Sequence, residues 1–168
     1  MRGIFLDRDG VINVEKGRYV YKIEDFQVIP GIIEVLSALK DAGYLLIVIT
    51  NQAGIAKGQY TVADMQACHD YFQKVSGQLI DAFYHAPDHP DYSESLSRKP
   101  GSLLFEKAIA RFNIDPVQSW MIGNSERDLI PAKKLRMQTI MFQGPVSEFA
   151  DFKTERVEEL TELILDRP

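Results

Sequence analysis

Cysteine is almost missing from this chain. Cys68 is the only one in 168 residues, so an intrachain disulfide is excluded. It falls at an apolar position of a predicted helix, where a buried structural thiol is the simpler reading. Long apolar runs are missing too, and none approaches the length of a membrane span. No basic and then apolar leader opens the chain, which enters Gly3-Ile4-Phe5-Leu6 at once. A basic excess is also lacking. With 19 Lys and Arg against 24 Asp and Glu, the net charge of −5 counts against general binding to nucleic acid or to an anionic membrane. A local basic pocket stays open. No internal repeat, low-complexity tract or linker divides the chain. These absences lead us to expect a cytoplasmic globular protein with one domain over residues 1–168.

What is present is an alternation of apolar strands and amphipathic helices. The first strand ends in Leu6-Asp7-Arg8-Asp9-Gly10. Residues 13 to 29 keep no period and read as an ordered flap. Pro30-Gly31 starts a helix with Ile32, Val35, Leu36 and Leu39 on one face. Tyr44 to Ile49 is a second strand. Thr61 can cap a helix whose buried face carries Met65, Cys68, Phe72 and Val75. Asp81 to Tyr84 is a short third strand, and a loop fills 85 to 98. Helices follow around Leu104 and Leu129, with strands at Ser119 to Ile122 and Thr139 to Phe142. Val157, Leu160 and Ile164 mark a closing helix. Repeated β-α units predict an α/β three-layer sandwich on a parallel sheet.

In such sheets ligands bind beyond the carboxyl ends of the strands. Four of those ends carry polar groups. The first offers Asp7 and Asp9, the second Thr50 and Asn51. The loop before a later helix offers Arg98 and Lys99, and the fourth end offers Asn124 and Asp128. Each has a plain alternative: a solvated Asp-Gly turn, a strand-end hydroxyl, a surface lysine, a first-turn acid favoured by the helix dipole. Together they supply a nucleophile, an acid/base, donors, a fixed cation and oxygen ligands. Phosphoryl transfer needs that set, because its catalysis is mostly positioning and charge neutralisation.

The segment Phe5-Leu6-Asp7-Arg8-Asp9-Gly10-Val11-Ile12-Asn13, with Thr50, Lys99 and Gly123 to Asp128, resembles the four motifs of the haloacid dehalogenase superfamily of phosphohydrolases. The likeness covers about residues 1 to 142. Val48-Ile49-Thr50-Asn51-Gln52-Ala53-Gly54 and Arg98-Lys99-Pro100 are similar to one branch, the D-glycero-D-manno-heptose-1,7-bisphosphate 7-phosphatases and histidinol-phosphatases. The resemblance implies a Rossmann-like core and a Mg²⁺-dependent phosphatase acting through an aspartyl phosphate on Asp7. It makes Asp9 the acid/base, and Thr50 and Lys99 the holders of the phosphoryl oxygens. It assigns Mg²⁺ to Asp7, Asp9, Asn124 and Asp128. Substrate contacts fall to Glu15, Gly17, Tyr19, Asn51, Gln52 and Arg98. The stretches between Asp7, Thr50 and Lys99 are already filled by predicted elements, so no separate cap domain is expected.

Two departures stand out. The branch carries a zinc loop before Arg-Lys-Pro, with a Cys-x-His and a Cys-x-Cys pair. Here the matching positions are Ala86, Asp88, Ser95 and Ser97, so no zinc is expected. His85 and His89 read as surface or loop packing. The fourth motif begins Gly123-Asn124 where the superfamily has Gly-Asp, which removes one charge from the metal site. The substrate is then a small phosphorylated molecule, either a heptose bisphosphate or histidinol phosphate or a similar monoester. A polynucleotide 3′-phosphate fits the acidic charge poorly. A phosphate-binding protein that lost efficient chemistry is the reading from another class. Oligomeric state is not legible.

Overall fold

The strands are apolar almost end to end because helices cover both faces of the sheet. The computed structural model describes residues 1–166 of the chain. Six strands and five α-helices alternate among them: β1 (Arg2–Leu6), α1 (Ile32–Asp41), β2 (Tyr44–Asn51), α2 (Val62–Ser76), β3 (Ala82–Ala86), α3 (Leu103–Phe112), β4 (Trp120–Gly123), α4 (Glu126–Lys134), β5 (Gln138–Phe142), β6 (Phe152–Thr154) and α5 (Glu159–Leu165). All neighbours pair in parallel, in the order β3-β2-β1-β4-β5-β6.

Successive residues of each strand point to opposite faces. Ile4, Leu6, Leu46, Val48 and Ile122 pack with Leu36 of α1, Phe72 of α2 and Leu160 of α5. Phe5, Ile47, Ile49 and Met121 pack with Phe105 of α3 and Leu129 of α4. The result is the expected three-layer α/β sandwich. The strand order reverses between β1 and β4, which flank each other from Ile4↔Trp120 to Leu6↔Ile122. A crevice opens at such a switch point, and Asp7 follows β1 directly into it.

Three expectations change. Val75 is exposed, and Ser76 is buried instead. At about 100° per residue, Ser76 lies roughly 20° from Met65 around the helix and Val75 roughly 80°. The third strand lies at Ala82–Ala86, with Asp81 just outside it. The sixth strand, Phe152–Thr154, is too short at three residues to show a period and is flanked by charge. Among the described residues, no helix is long and apolar enough to cross a membrane. The flap is not α-helical, and a 3₁₀ turn at Ile23–Asp25 is its one regular piece. Its two ends are tied, since Val14 N–H donates to the Gln27 carbonyl and Ile29 N–H to the Ile12 carbonyl. Val20, Phe26 and Ile29 anchor it in the core.

Candidate active site

Asp7 is buried, and the backbone N–H of Arg8 and the ammonium of Lys99 both donate to its Oδ1, at 2.7 and 2.8 Å. Its Oδ2 accepts from no protein donor among the described residues and is not sealed from the cavity that Asp7 lines. Burial pushes the Asp7 carboxyl up to about 6; Asp128 adds to the rise and Lys99 opposes it.

Lys99 is 2% exposed, not a surface lysine. Its Nζ donates to Asp7 Oδ1 at 2.8 Å and to the Ile49 carbonyl at 2.7 Å, and forms an ion pair with Asp128 Oδ1 at 2.7 Å. Burial pulls this ammonium down, but Asp128 and Asp7 together hold it above the ordinary lysine value. Asp128 is fully buried; Ser125 donates to its Oδ2 through both N–H and hydroxyl. A Cβ on Gly123 would come within 2.4 Å of Asp128 Cβ, so glycine there admits the carboxylate. Asp128 is thus engaged by Lys99 and by the start of α4.

Two residues expected to touch substrate are committed to the protein. Asn51 donates through Nδ2 to the Lys99 carbonyl at 3.1 Å and accepts from the Lys99 N–H at 3.0 Å. This clamp fixes the Lys99 backbone against β2. Gln52 donates to Thr50 Oγ1 at 2.9 Å and accepts from the Tyr60 hydroxyl at 2.6 Å. The chain Tyr60–Gln52–Thr50 leaves the Thr50 hydroxyl hydrogen directed elsewhere, with only a long 3.5 Å contact to the Asn51 carbonyl. Burial pushes the Tyr60 phenol up to about 12, so it stays a donor.

Asp9 Oδ1 accepts from Arg8 NH2 at 3.0 Å and Asn13 Nδ2 at 2.8 Å, while its Oδ2 has no protein donor among the described residues. A cavity of about 610 Å³ opens over Asp7 and Asp9, and Glu15, Gly17, Tyr19, Asn51, Gln52, Arg98 and Lys99 line it. Thr50 and Asp128 are buried and Asn124 is half-buried, and none of the three is among the lining residues. The sequence reading missed Arg8, Tyr60 and Arg127 on the wall, and it put His89 on the surface or in loop packing. Tyr21 stacks on Tyr60 at 5.0 Å between ring centroids, joining flap to wall. Arg127 pairs with no carboxylate among the described residues, although it sits in the first turn of α4, where the dipole disfavours a cation. Arg98, which donates to the Asp88 carbonyl at 3.2 Å, is lowered by burial and then by Arg127.

Hard oxygens for a divalent cation are present. Among the described residues, Asp7 Oδ2 and the Asp9 carbonyl accept from no protein donor and the Asn124 carboxamide makes no protein hydrogen bond. A Cβ on Gly10, whose φ is +84°, would fall 1.9 Å from Asn124 Nδ2, so the amide lies directly on the Asp9-Gly10 turn. This donor set fits Mg²⁺ in ligand chemistry. Among the described residues no three His, Cys, Asp or Glu side chains form a metal-binding group.

The expected 85–98 loop begins only at 87, because His85 and Ala86 belong to β3, and it is tied by hydroxyls. Asp88 Oδ1 accepts from Ser93 and Oδ2 from Ser97, both at 3.3 Å, and the Ser95 and Ser97 hydroxyls are 2.7 Å apart. Serine hydroxyls, Ser95 foremost, hold the Asp88 carboxyl below its usual value.

A family model described as a haloacid dehalogenase-like hydrolase matches residues 1–136. The D-glycero-beta-D-manno-heptose-1,7-bisphosphate 7-phosphatase of Haemophilus ducreyi is 37% identical over 147 residues, covering 82% of this chain and 80% of its own. The D-glycero-alpha-D-manno-heptose-1,7-bisphosphate 7-phosphatase of Burkholderia mallei is 41% identical over 137 residues, covering 76% and 72%. The crystal structure of a D,D-heptose 1,7-bisphosphate phosphatase from B. bronchiseptica, complexed with magnesium and phosphate, superimposes with a TM-score of 0.89 at 26% identity, covering 99% of both chains.

Proposed function

The chain belongs to the haloacid dehalogenase-like hydrolases and is a phosphatase, and from that premise we propose that it removes the 7-phosphate of a D-glycero-D-manno-heptose 1,7-bisphosphate through an aspartyl phosphate on Asp7. The observation that carries this reading is the split of Asp7: Oδ1 is held by Arg8 N–H and Lys99, and Oδ2 is unbonded toward the cavity. Oδ2 attacks phosphorus, and the bond to the sugar oxygen breaks with its electrons on that oxygen. Asp9 gives the leaving oxygen a proton, then takes one from the water that attacks the acyl phosphate, releasing inorganic phosphate and the Asp7 carboxylate. Lys99 offsets the charge of Asp7 as the phosphate dianion approaches. The Thr50 hydroxyl, turned by Gln52, serves as a donor to a phosphoryl oxygen. Asp7, the Asp9 carbonyl and Asn124 would hold Mg²⁺, which when bound supplies positive charge to the transferring phosphoryl group.

Support for a bisphosphate comes from the relatives' substrates and from the far wall. Arg98 and Arg127 are cations lining the cavity that form no ion pair with a carboxylate among the described residues. A second phosphate is the partner such a pair suits. The test is a substrate panel: the heptose bisphosphate, the heptose 7-phosphate, histidinol phosphate and a 3′-phosphorylated oligonucleotide, with and without Mg²⁺. The bisphosphate should lead in kcat/KM by about tenfold or more, the range of one charge-assisted contact pair. Equal rates across the panel would overturn the substrate assignment.

A further inference from the structure

Arg8 is the anomaly of the site. Its side chain is 1% exposed, and its Nε and NH1 have no acceptor among the described residues. A buried donor without an acceptor destabilises the fold, and a well-packed apolar residue commonly outperforms a buried ion in stability. A guanidinium kept only for the fold would be fully paired. The bonds it does make come from a single nitrogen. NH2 donates to Asp9 Oδ1 at 3.0 Å and to the Val20 carbonyl at 2.6 Å, and the Phe26 ring lies 5.7 Å from Cζ. Val20 and Phe26 both belong to the flap. A residue that violates the rules of burial in order to hold one carboxylate marks function more than stability.

We propose that Arg8 is a positioning residue that fixes which oxygen of Asp9 moves protons. With Asn13, it places two donors on Oδ1, so that oxygen is saturated as an acceptor. The mobile proton then resides on Oδ2, which accepts from no protein donor among the described residues. Oδ2–H gives its proton to the leaving oxygen as the P–O bond breaks. The same Oδ2 receives a proton from water as the new P–O bond forms. The Val20 carbonyl bonds the same NH2, so the flap holds the guanidinium in place. Arg8 touches neither phosphorus nor the leaving oxygen and acts through Asp9. The inference rests on the acid/base role given to Asp9 above.

The test compares leaving groups within each variant. An alkoxide needs a proton to depart, whereas a nitrophenolate needs almost none. Arg8→Met and Arg8→Lys are assayed on an alkyl phosphate and on p-nitrophenyl phosphate, with Asp9→Asn as the reference. Loss of an aligned general acid costs about 10²–10⁴. The Arg8 variants should lose at least about tenfold in kcat on the alkyl ester and less than about threefold on the aryl ester. The ratio of the two rates does not depend on the folded fraction, so partial misfolding leaves it readable. Arg8→Lys, which keeps the charge but not the two-way bond, covers a failure of Arg8→Met to fold. Equal loss on both esters, or no loss, overturns the proposal while an Asp9→Asn effect upholds the role of Asp9. An Asp9→Asn variant without leaving-group dependence removes that role, and the proposal with it.

Discussion

Asn124 is one atom away from the acid that its family carries, and it lies against the Asp9-Gly10 turn. A carboxylate there would add one negative charge beside a divalent ion. Unit charges about 4 Å apart attract by roughly 4 kcal/mol at an effective dielectric near 20. A third of that is about one decade in affinity. Asn124→Asp is therefore expected to tighten Mg²⁺ about tenfold and to raise activity at limiting metal, with the gain shrinking at saturation. Activity measured against Mg²⁺ concentration for both proteins checks this, and superimposable curves would mean that Asn124 is no ligand. Asp7, Asp9 and Lys99 were legible because each sits at a strand end or in a long recognisable word. The roles of Asn51 and Gln52 were not. Their partners, Lys99 and Tyr60, stand 48 and 8 residues away, and no local pattern announces a carboxamide spent on the protein's own backbone and side chains.

Elements follow the same division. Thr61 was readable as a cap, and it forms a full capping box with Asp64. Strand β6 was unreadable, because its pairing with β5 is a tertiary fact. The loop after β3 was readable only as an absence of thiolates. Its means of order needed coordinates: Asp88 gathers Ser93 and Ser97, and its carbonyl receives Arg98. Asp88→Ala should loosen this loop, raising KM severalfold with kcat little changed, since it removes hydrogen bonds worth about 0.5–1.5 kcal/mol each. Hydrogen exchange across residues 88–98 should speed up in the variant. The purified protein should hold no stoichiometric zinc, and one zinc per chain by elemental analysis would reassign the loop to a metal. Unchanged exchange and unchanged KM would show that the serines hold nothing.

At the scale of the molecule, two buried groups oppose each other in acid. His69 is 1% exposed, stacks on Phe83 at 4.4 Å, and has no hydrogen-bond partner for either ring nitrogen among the described residues. Burial, then Arg8 and His85, push it down to about 3. The unfolded chain takes up the proton that the buried ring refuses. Stability from this group is therefore present above about pH 6.5 and is lost as pH falls from there toward 3. Asp7 runs the other way. Its pKa is raised by burial to about 6, so without metal the folded state holds the extra proton and stability declines as pH rises toward 6. Each slope is about 1.4 kcal/mol per pH unit. His69→Leu removes one of them. In EDTA, its stability relative to wild type should improve by about 1 kcal/mol per unit as pH falls from 6 to 4. Urea unfolding at three pH values reads this directly, and parallel profiles would mean that the ring is not held neutral.

The proposed chemistry turns on a covalent bond to Asp7. A single turnover with a phosphorylated sugar and Mg²⁺, quenched in acid within the first catalytic cycle and digested for mass spectrometry, looks for that bond. The peptide carrying Asp7 should gain the mass of one phosphoryl group, and the signal should vanish in Asp7→Asn. A phosphoryl group on any other residue, or full turnover by the Asp7→Asn variant, would contradict the account.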